Sequence, residues 1–380
     1  MDIKVSKFRD ALGLVKLTVP REHKKMPLKV LTNILLQKGR LVATDMDTMV
    51  IVPLFEADLD CLIPYLDAAK PLDYVDGNDI LHLELKEGAV LMSWSDGSMK
   101  LGTGKVDDFP SVPSEFVPTG EAEIDVDTLI GGMEEVLSYV SKEGGKDARP
   151  VLQGVTLILG EHVAVAAGDG FRMAHKPLPT LSFPKEESII VPFSSVNILR
   201  HLWAKTPRTP PSGGTLVEGI MAKKKARLSI DAQGHLRVMF GESATALIKL
   251  TAGTPPNWIK LVPDKQPQLI ATMVAAQLDI AVRRVRTIAK DGSNIIRMVF
   301  SDGTATVSAQ GNGQHAEGNV KVLAGNGGSG RVGLNANYLL TYLKGKEGIV
   351  TLQLVEEGAP VIFRHQKDPQ VLIMPMKVEW

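Results

Sequence analysis

The stretch "GNGGSG" at 325–330 matches the Gly-x-Gly-x-x-Gly spacing that lets a backbone approach a dinucleotide pyrophosphate. It follows the strand-like "NVKVL", and Glu356 and Glu357 stand about 25 to 30 residues on, where an acid would meet a ribose hydroxyl. That chemistry requires the glycines to run straight into a helix, so that the phosphates meet its N-terminus. Here "RVGLNA" intervenes and no strand and helix alternation surrounds the loop. A flexible loop is the better reading, with a dinucleotide-dependent enzyme as the alternative.

Other catalytic patterns are weaker still. The eight histidines are scattered, with no His-Glu-x-x-His and no close pair at metal-ligand spacing, and no Gly-x-Ser-x-Gly marks a nucleophile elbow. The single cysteine, Cys61 in "LDCLIPYLD", excludes an internal disulfide and a cysteine-based metal site, and reads as a small buried hydrophobe. No catalytic residue, metal or cofactor is expected.

What remains is a question of which elements carry binding. The 380 residues, 44% hydrophobic and 23% charged, suffice for two or three cores. No apolar run approaches the roughly 18 to 20 residues of a membrane span, and "MDIKVSKFRDAL" has charges where a signal peptide is apolar, so a cytoplasmic location is expected. Lys plus Arg and Asp plus Glu are 43 each, so only the distribution of charge can speak for a nucleic-acid partner.

Three stretches share one grammar of strand, polar turn, strand and tight turn: 31–53, 152–178 and 295–320. Aligning Asp45, Asp169 and Asn312 gives spacings of about 124 and 143 residues, the length of a domain and not of a solenoid repeat. The longer spacing contains a Pro- and Gly-rich excursion at 204–219, read as an inserted loop, and the neighbouring "MAKKKARL" is read as a solvated hairpin. Each unit opens with an amphipathic helix and closes on a proline-broken strand, at "VDDFPSVP", "TPPNWIKLVP" and "IMPMKV". Hairpin signals such as "SDGT" at 301–304 and "WSDGSM" at 94–99 predict antiparallel pairing. The expectation is three α+β domains: 1–120, 121–254 with the inserted loop, and 255–380.

The opening helices carry charge. In 272–290 the residues Val274, Leu278, Val285 and Ile288 gather on one side, and Arg283, Arg286 and Lys290 on the other. Arg9 and Lys16 lie a heptad apart in the first helix, followed by "REHKK" with Lys24 and Lys25. The second unit's opening helix carries Glu134 and Glu135, and its positive charge comes from Lys146, Arg149, Arg200 and Lys205. Helices turned to one side would make a cationic surface suited to phosphates whatever the base sequence.

Taken in order, "NILLQKGRLVATDMD", "DDFPSVP", "ARPVLQGVTL", "AAGDGFRMA", "PPNWIKLVP", "LNANYLLTYL" and "IMPMKV" resemble the bacterial sliding clamp, the beta subunit of DNA polymerase III, over essentially the whole chain. The resemblance implies three similar clamp domains, each two helices against antiparallel sheets. Two chains would join head to tail in a ring around duplex DNA, a processivity factor and not an enzyme. It also implies a cleft between domains 2 and 3 that takes short linear peptides of polymerase, clamp loader and repair proteins. Leu152, Gly170, Arg172 and Met173 would form one wall, Pro256 and Leu261 would come from the second boundary, Asn335 and Tyr338 from "LNANYLL", and Leu372, Met374, Pro375 and Met376 from the tail. Methionine suits such a groove because it adapts to several partners. For DNA the resemblance points to Lys25, Lys146 and Arg149, beside the helical Arg9, Arg283, Arg286 and Lys290.

Four positions depart from the family pattern. Gly168 stands where threonine is usual, Lys377 where arginine is usual, and Glu379 and Trp380 extend the end, with Trp380 expected to seek burial over the cleft. These departures put peptide preference in question and leave room for a clamp paralogue serving repair or a mobile element.

Overall fold

The polar turns flagged in the sequence close hairpins. Between strands Ile295–Ser301 and Thr304–Gly311, Asp302 and Gly303 take φ of 50° and 73°, the left-handed pair that matches the twist of flanking strands. Asn312 and Gly313 repeat this at 47° and 72° before strand Gln314–Lys321. The corresponding turns of the first two repeats use an aspartate side chain instead. Asp45 Oδ1 accepts from the backbone N–H groups of Asp47 and Thr48, and Asp169 Oδ1 from those of Phe171 and Arg172.

The chain is seen in a computed structural model that describes residues 1–20, 28–54, 59–113, 115–142, 149–206, 225–290, 293–366 and 368–378. Among these residues the α-helices are α1 (Val5–Val15), α2 (Tyr65–Leu72), α3 (Val126–Val136), α4 (Phe193–Lys205), α5 (Ala275–Ala289) and α6 (Ala336–Leu343). Contacts divide the chain into two compact units, one of 1–131, 159–163 and 180–252, the other of 132–158, 164–179 and 253–380.

The first unit holds a four-stranded antiparallel sheet ordered Asp2–Lys4, Ile80–Lys86, Ala89–Trp94, Gly97–Gly102. Its eight-stranded sheet runs Cys61–Pro64, Asn33–Gln37, Arg40–Thr44, Thr48–Pro53, Ala244–Lys249, His235–Phe240, Lys225–Asp231, Pro118–Asp125. Strand Thr48–Pro53 of the first repeat pairs directly with Ala244–Lys249 of the second, in the register Val50↔Ala246 and Met49↔Leu247. The second unit repeats the device, with Arg172–Pro177 pairing with Gln370–Ile373 in the register Met173↔Leu372. Its further strands Val361–Arg364, Ile349–Leu354, Leu269–Val274 and Ala324–Gly325 continue that sheet. A four-stranded sheet ordered Gln314–Lys321, Thr304–Gly311, Ile295–Ser301, Gly330–Asn335 completes the unit.

Helix α5 shows how sequence sets packing. Leu278, Ala281, Val282, Val285 and Ala289 are buried along one stripe against the sheet of 295–321, and the approach is close because Gly318 faces Ala281, whose Cβ lies 3.5 Å from where a Gly318 Cβ would stand. Burying a side chain such as Leu278 or Val285 stabilises by roughly 1.5–3 kcal/mol each. The helix begins later than its periodicity suggests: Thr272, Met273 and Val274 belong to strand Leu269–Val274, and Val274 and Ile288 are only partly buried. An apolar, β-branched lead-in serves strand and helix alike, so the boundary moves.

Two further readings change. The first two proline breaks are followed or preceded by single 3-10 turns, Val106–Asp108 and Ile259–Leu261, and only Met374–Pro375–Met376 directly follows a strand. The loop 325–330 leads from strand Ala324–Gly325 into strand Gly330–Asn335, so no helix N-terminus faces its glycines. A Cβ at Gly325 would lie 2.1 Å from the Ile270 carbonyl oxygen, and at Gly328 2.3 Å from that of Gln268, so these glycines serve backbone packing.

Candidate functional site

Within the second unit, the Asp169–Gly170 turn projects Phe171 and Arg172 and then turns into strand Arg172–Pro177. Gly170 has φ of 93°, a conformation that costs a side chain strain and glycine nothing. Asp169 fixes the turn and also accepts from Arg172 Nε at 2.9 Å through its Oδ2. The Arg172 guanidinium donates to the Ser138 carbonyl at 3.2 Å and lies 5.2 Å from the Tyr139 ring centroid and 4.8 Å from that of Tyr338. Two aromatic faces and an ion pair therefore lock its planar head in place. Phe171 stacks on Tyr338 at 6.3 Å and stays half exposed.

The tail closes the site from the next strand. Leu372 stands opposite Met173, and past the strand's end the Met374 N–H donates to the Phe171 carbonyl and the Met376 N–H to the Gly333 carbonyl, each at 2.8 Å. Pro375, which has no N–H, falls between the two bonds. The backbone is thus pinned while the Met374 side chain remains 40% exposed. Beneath it lies an apolar floor of Leu152, Ala166, Met173, Trp258, Val355, Ile362 and Leu372, with Val151, Ile158 and Val262 packed against it. Ile259 and Leu261 stand exposed on the turn after Trp258. Pro256 is partly buried just before that turn.

The structure places the expected cleft residues unevenly. Leu152, Met173 and Leu372 form the floor, Met374 and Leu261 are exposed, and Pro375 and Met376 are partly buried. Asn335 caps α6, its side-chain oxygen accepting from the Asn337 N–H at 2.9 Å, which positions Tyr338 one turn on. Sequence reading passed over Phe171, Trp258 and Tyr139. Phe171 lies inside a motif already noted, and an aromatic beside a glycine turn is a signal for it; Trp258 and Tyr139 look like ordinary core aromatics in sequence.

The cations are more dispersed. Arg9 is turned inward: its Nη2 donates to the carbonyls of Leu72 and Val75, both at 2.6 Å, at the C-terminal end of α2. This is a helix-closing role, and it uses donors that a phosphate would need. Arg149 is exposed, and so is Lys290 at the end of α5. Arg283 pairs with Asp279 at 2.6 Å, one turn back on α5. Arg283 and Arg286 meet Lys344 and Lys346 around a hollow of about 680 Å³ bordered by Tyr139 and Tyr342. Lys25, Lys146, the 207–219 part of the excursion, residues 221–224 and Glu379–Trp380 lie outside the described residues.

Titration near the cleft follows burial. Desolvation pushes the Tyr139 hydroxyl up, against the Arg172 charge, and pushes Tyr342 up as well. His175, on the strand that carries Arg172, is held below its ordinary value by desolvation. Burial opposes the charge of Asp368, yet hydrogen bonds from Lys346 and His365 and their charges outweigh it and hold its carboxyl below the usual range.

An antiparallel sheet shared between repeats, ending in a Met-Pro-Met tail bonded to the Asp169 turn, has the fold of the sliding-clamp class. The whole chain superposes on 99% of the crystal structure of DNA polymerase III beta from Pseudomonas aeruginosa with a TM-score of 0.82 at 21% identity. It likewise matches the DNA polymerase III beta of Thermotoga maritima, with a TM-score of 0.81 at 16% identity. In sequence it is 29% identical to the beta sliding clamp of Micrococcus luteus over 241 residues, 63% of this chain and 70% of that one. Residues 260–377 match the family model for the C-terminal domain of the DNA polymerase III beta subunit. Residues 260–377 thus carry the signature of a DNA polymerase III beta C-terminal domain, and the chain as a whole is similar to bacterial beta sliding clamps in sequence and in fold. Among the described residues no group of His, Cys, Asp or Glu could hold a metal ion, and no helix is long and apolar enough to cross a membrane.

Proposed function

We propose that the protein is a processivity clamp: two copies close around duplex DNA and tether a polymerase through short peptides docked in the cleft, with no catalytic step of its own. The observation that carries this reading is the coincidence of the family's C-terminal domain match, 260–377, with the segment supplying Leu261, Tyr338 and the pinned Met374–Met376 tail. The division into domains at 1–120, 121–254 and 255–380 is part of the proposal. So is the cytoplasmic location. Arg149, Arg283, Arg286 and Lys290 would give loose phosphate contact. Tight contact would stop sliding, so retention comes from closure and not from affinity.

The head-to-tail contact would use strands Gly97–Gly102 and Gln314–Lys321, each one of the two edge strands of its four-stranded sheet. An outermost strand has backbone groups ready for pairing with another chain. Lys100 is exposed on one and Glu317, four residues before the exposed Lys321, on the other, and a Lys100–Glu317 pairing is the contact proposed. Lys100→Glu is expected to weaken the dimer, seen by sedimentation as a shift toward monomer at unchanged melting temperature.

The direct test is retention on nicked circular DNA after loading, before and after the circle is linearised. Retention on the circle with loss from free ends is expected. Equal, steeply salt-dependent loss from both forms would reduce the protein to an ordinary electrostatic binder. For the cleft, Met374→Ala is expected to weaken a fluorescent clamp-interaction peptide about tenfold, since exposed apolar anchors of this size carry roughly 1–2 kcal/mol each.

A further inference from the structure

The sequence holds Asn-Gly twice, at 312–313 and at 326–327. This dipeptide is chemically fragile, because glycine has no side chain to keep its backbone nitrogen away from the amide carbon of the asparagine before it. The two copies are held in opposite ways. Asn326, in the 325–330 loop, is locked: its Oδ1 accepts from the Ile270 N–H at 2.9 Å and the Gly328 N–H at 3.2 Å, and its Nδ2 donates to the carbonyls of Gln268 at 3.0 Å and Pro267 at 3.3 Å. Its amide carbon cannot swing onto the Gly327 nitrogen without breaking those bonds. Asn312 stands at the exposed tip of the hairpin between strands Thr304–Gly311 and Gln314–Lys321. Among the described residues its side chain has no hydrogen bond and no backbone bond engages the Gly313 N–H. A Cβ on Gly313 would meet nothing within 4 Å.

We propose that Asn312 is a site of spontaneous modification, converting to aspartyl and isoaspartyl forms while Asn326 stays intact, and that the isoaspartyl form unpairs the edge strand Gln314–Lys321. The Gly313 nitrogen forms a bond to Asn312 Cγ, the Cγ–Nδ2 bond breaks, and ammonia leaves with the Gly313 N–H proton, closing a cyclic imide. Water then opens the imide at either carbonyl, with no oxidant or reductant needed. Opening at one carbonyl gives an ordinary peptide link with aspartate, which tolerates the left-handed turn. Opening at the other leaves the chain running through Cβ, one methylene longer. A two-residue loop matches the twist of its strands only with backbone angles such as the φ of 47° and 72° at Asn312 and Gly313. The longer link therefore breaks the pairs Gly311↔Gln314 and Gln310↔His315. The turn fixes the register of a hairpin, so the loss spreads toward Lys321. The same strand is assigned above to the subunit contact, so ageing would loosen the ring as well; that consequence rests on the proposed function, whereas the chemistry and the unpairing do not.

The experiment incubates the full chain for weeks in warm neutral buffer and maps its peptides by mass spectrometry, with enzymatic methylation to mark isoaspartyl links. In the folded chain Asn312 is expected to convert at least about tenfold faster than Asn326, where several hydrogen bonds must break first. In urea the two rates are expected to converge. Equal rates in the folded chain, or faster conversion of Asn326, overturn the proposal. Hydrogen exchange on the aged chain reads the unpairing. Amides of 304–321 are expected to lose protection in step with the isoaspartyl fraction. The equally aged Asn312→Gly variant, which accepts the same turn and cannot form the imide, is expected to retain it. Full protection in molecules that carry the isoaspartyl link overturns the unpairing. Fresh Asn312→Asp separates charge from chain length and is expected to keep hairpin protection and melting temperature; loss of protection there would place the effect on charge and overturn the role of the longer link.

Discussion

Cys61 is 1% exposed in strand Cys61–Pro64, and burial, with the charge of Asp60, pushes its thiol up to about 11. Since the thiolate is the reactive form, the native protein should react with thiol reagents only on unfolding, so labelling without and with denaturant should differ by roughly 100-fold or more. His175 titrates in the opposite sense to a salt-bridged histidine. Its folded value lies below its ordinary 6.5, so the unfolded chain binds the proton more readily. Stability is therefore full above about pH 6.5 and falls as the pH drops toward the folded value. Asp368, held below 3.8, adds stability that persists above that pH and is lost as acid protonates it. Denaturant melts at a series of pH values should show both slopes, with His175→Phe removing the upper one. At this scale the sequence was most legible where chemistry is local: the Asp169 turn and the tail methionines stand out in the string. Trp258 and the inward turn of Arg9 did not, because both depend on residues far away along the chain.

Helices and strands show where a heptad of charge misleads. Arg9 and Lys16 looked like one cationic face of α1, but Arg9 closes the end of α2 through Leu72 and Val75. Arg9→Ala is expected to cost about 1–3 kcal/mol of stability, read by thermal or urea melts, with little change in DNA retention. The reverse pattern, weaker retention at an unchanged melt, would restore it as a DNA contact. Leu278→Ala on α5 should cost about 2–5 kcal/mol, because the residue is fully buried against the sheet. The hairpins were readable since Asp-Gly and Asn-Gly pairs dictate φ directly. The start of α5 was not, since Thr272 to Val274 satisfy the period of a strand and of a helix equally.

For the whole molecule, the string reads as three repeats, while the chain folds into two compact units whose bounds do not coincide with them. The reason lies in the strand pairs Thr48–Pro53 with Ala244–Lys249 and Arg172–Pro177 with Gln370–Ile373, which carry hydrogen bonds across from one repeat to the next. No local pattern announces such a pair, since either strand would look the same beside any other partner. The pairs bear on how the gene can be cut. A fragment ending at residue 120 would lose the strands that cover Thr48–Pro53 and leave a flat apolar margin, with Met49 and Val50 uncovered. Such pieces should precipitate or trade strands with one another when expressed alone, whereas a split that respects the pairing should stay in solution. Evolution faces the same seam: a repeat cannot be exchanged for a foreign one unless both of its borrowed margins are exchanged with it.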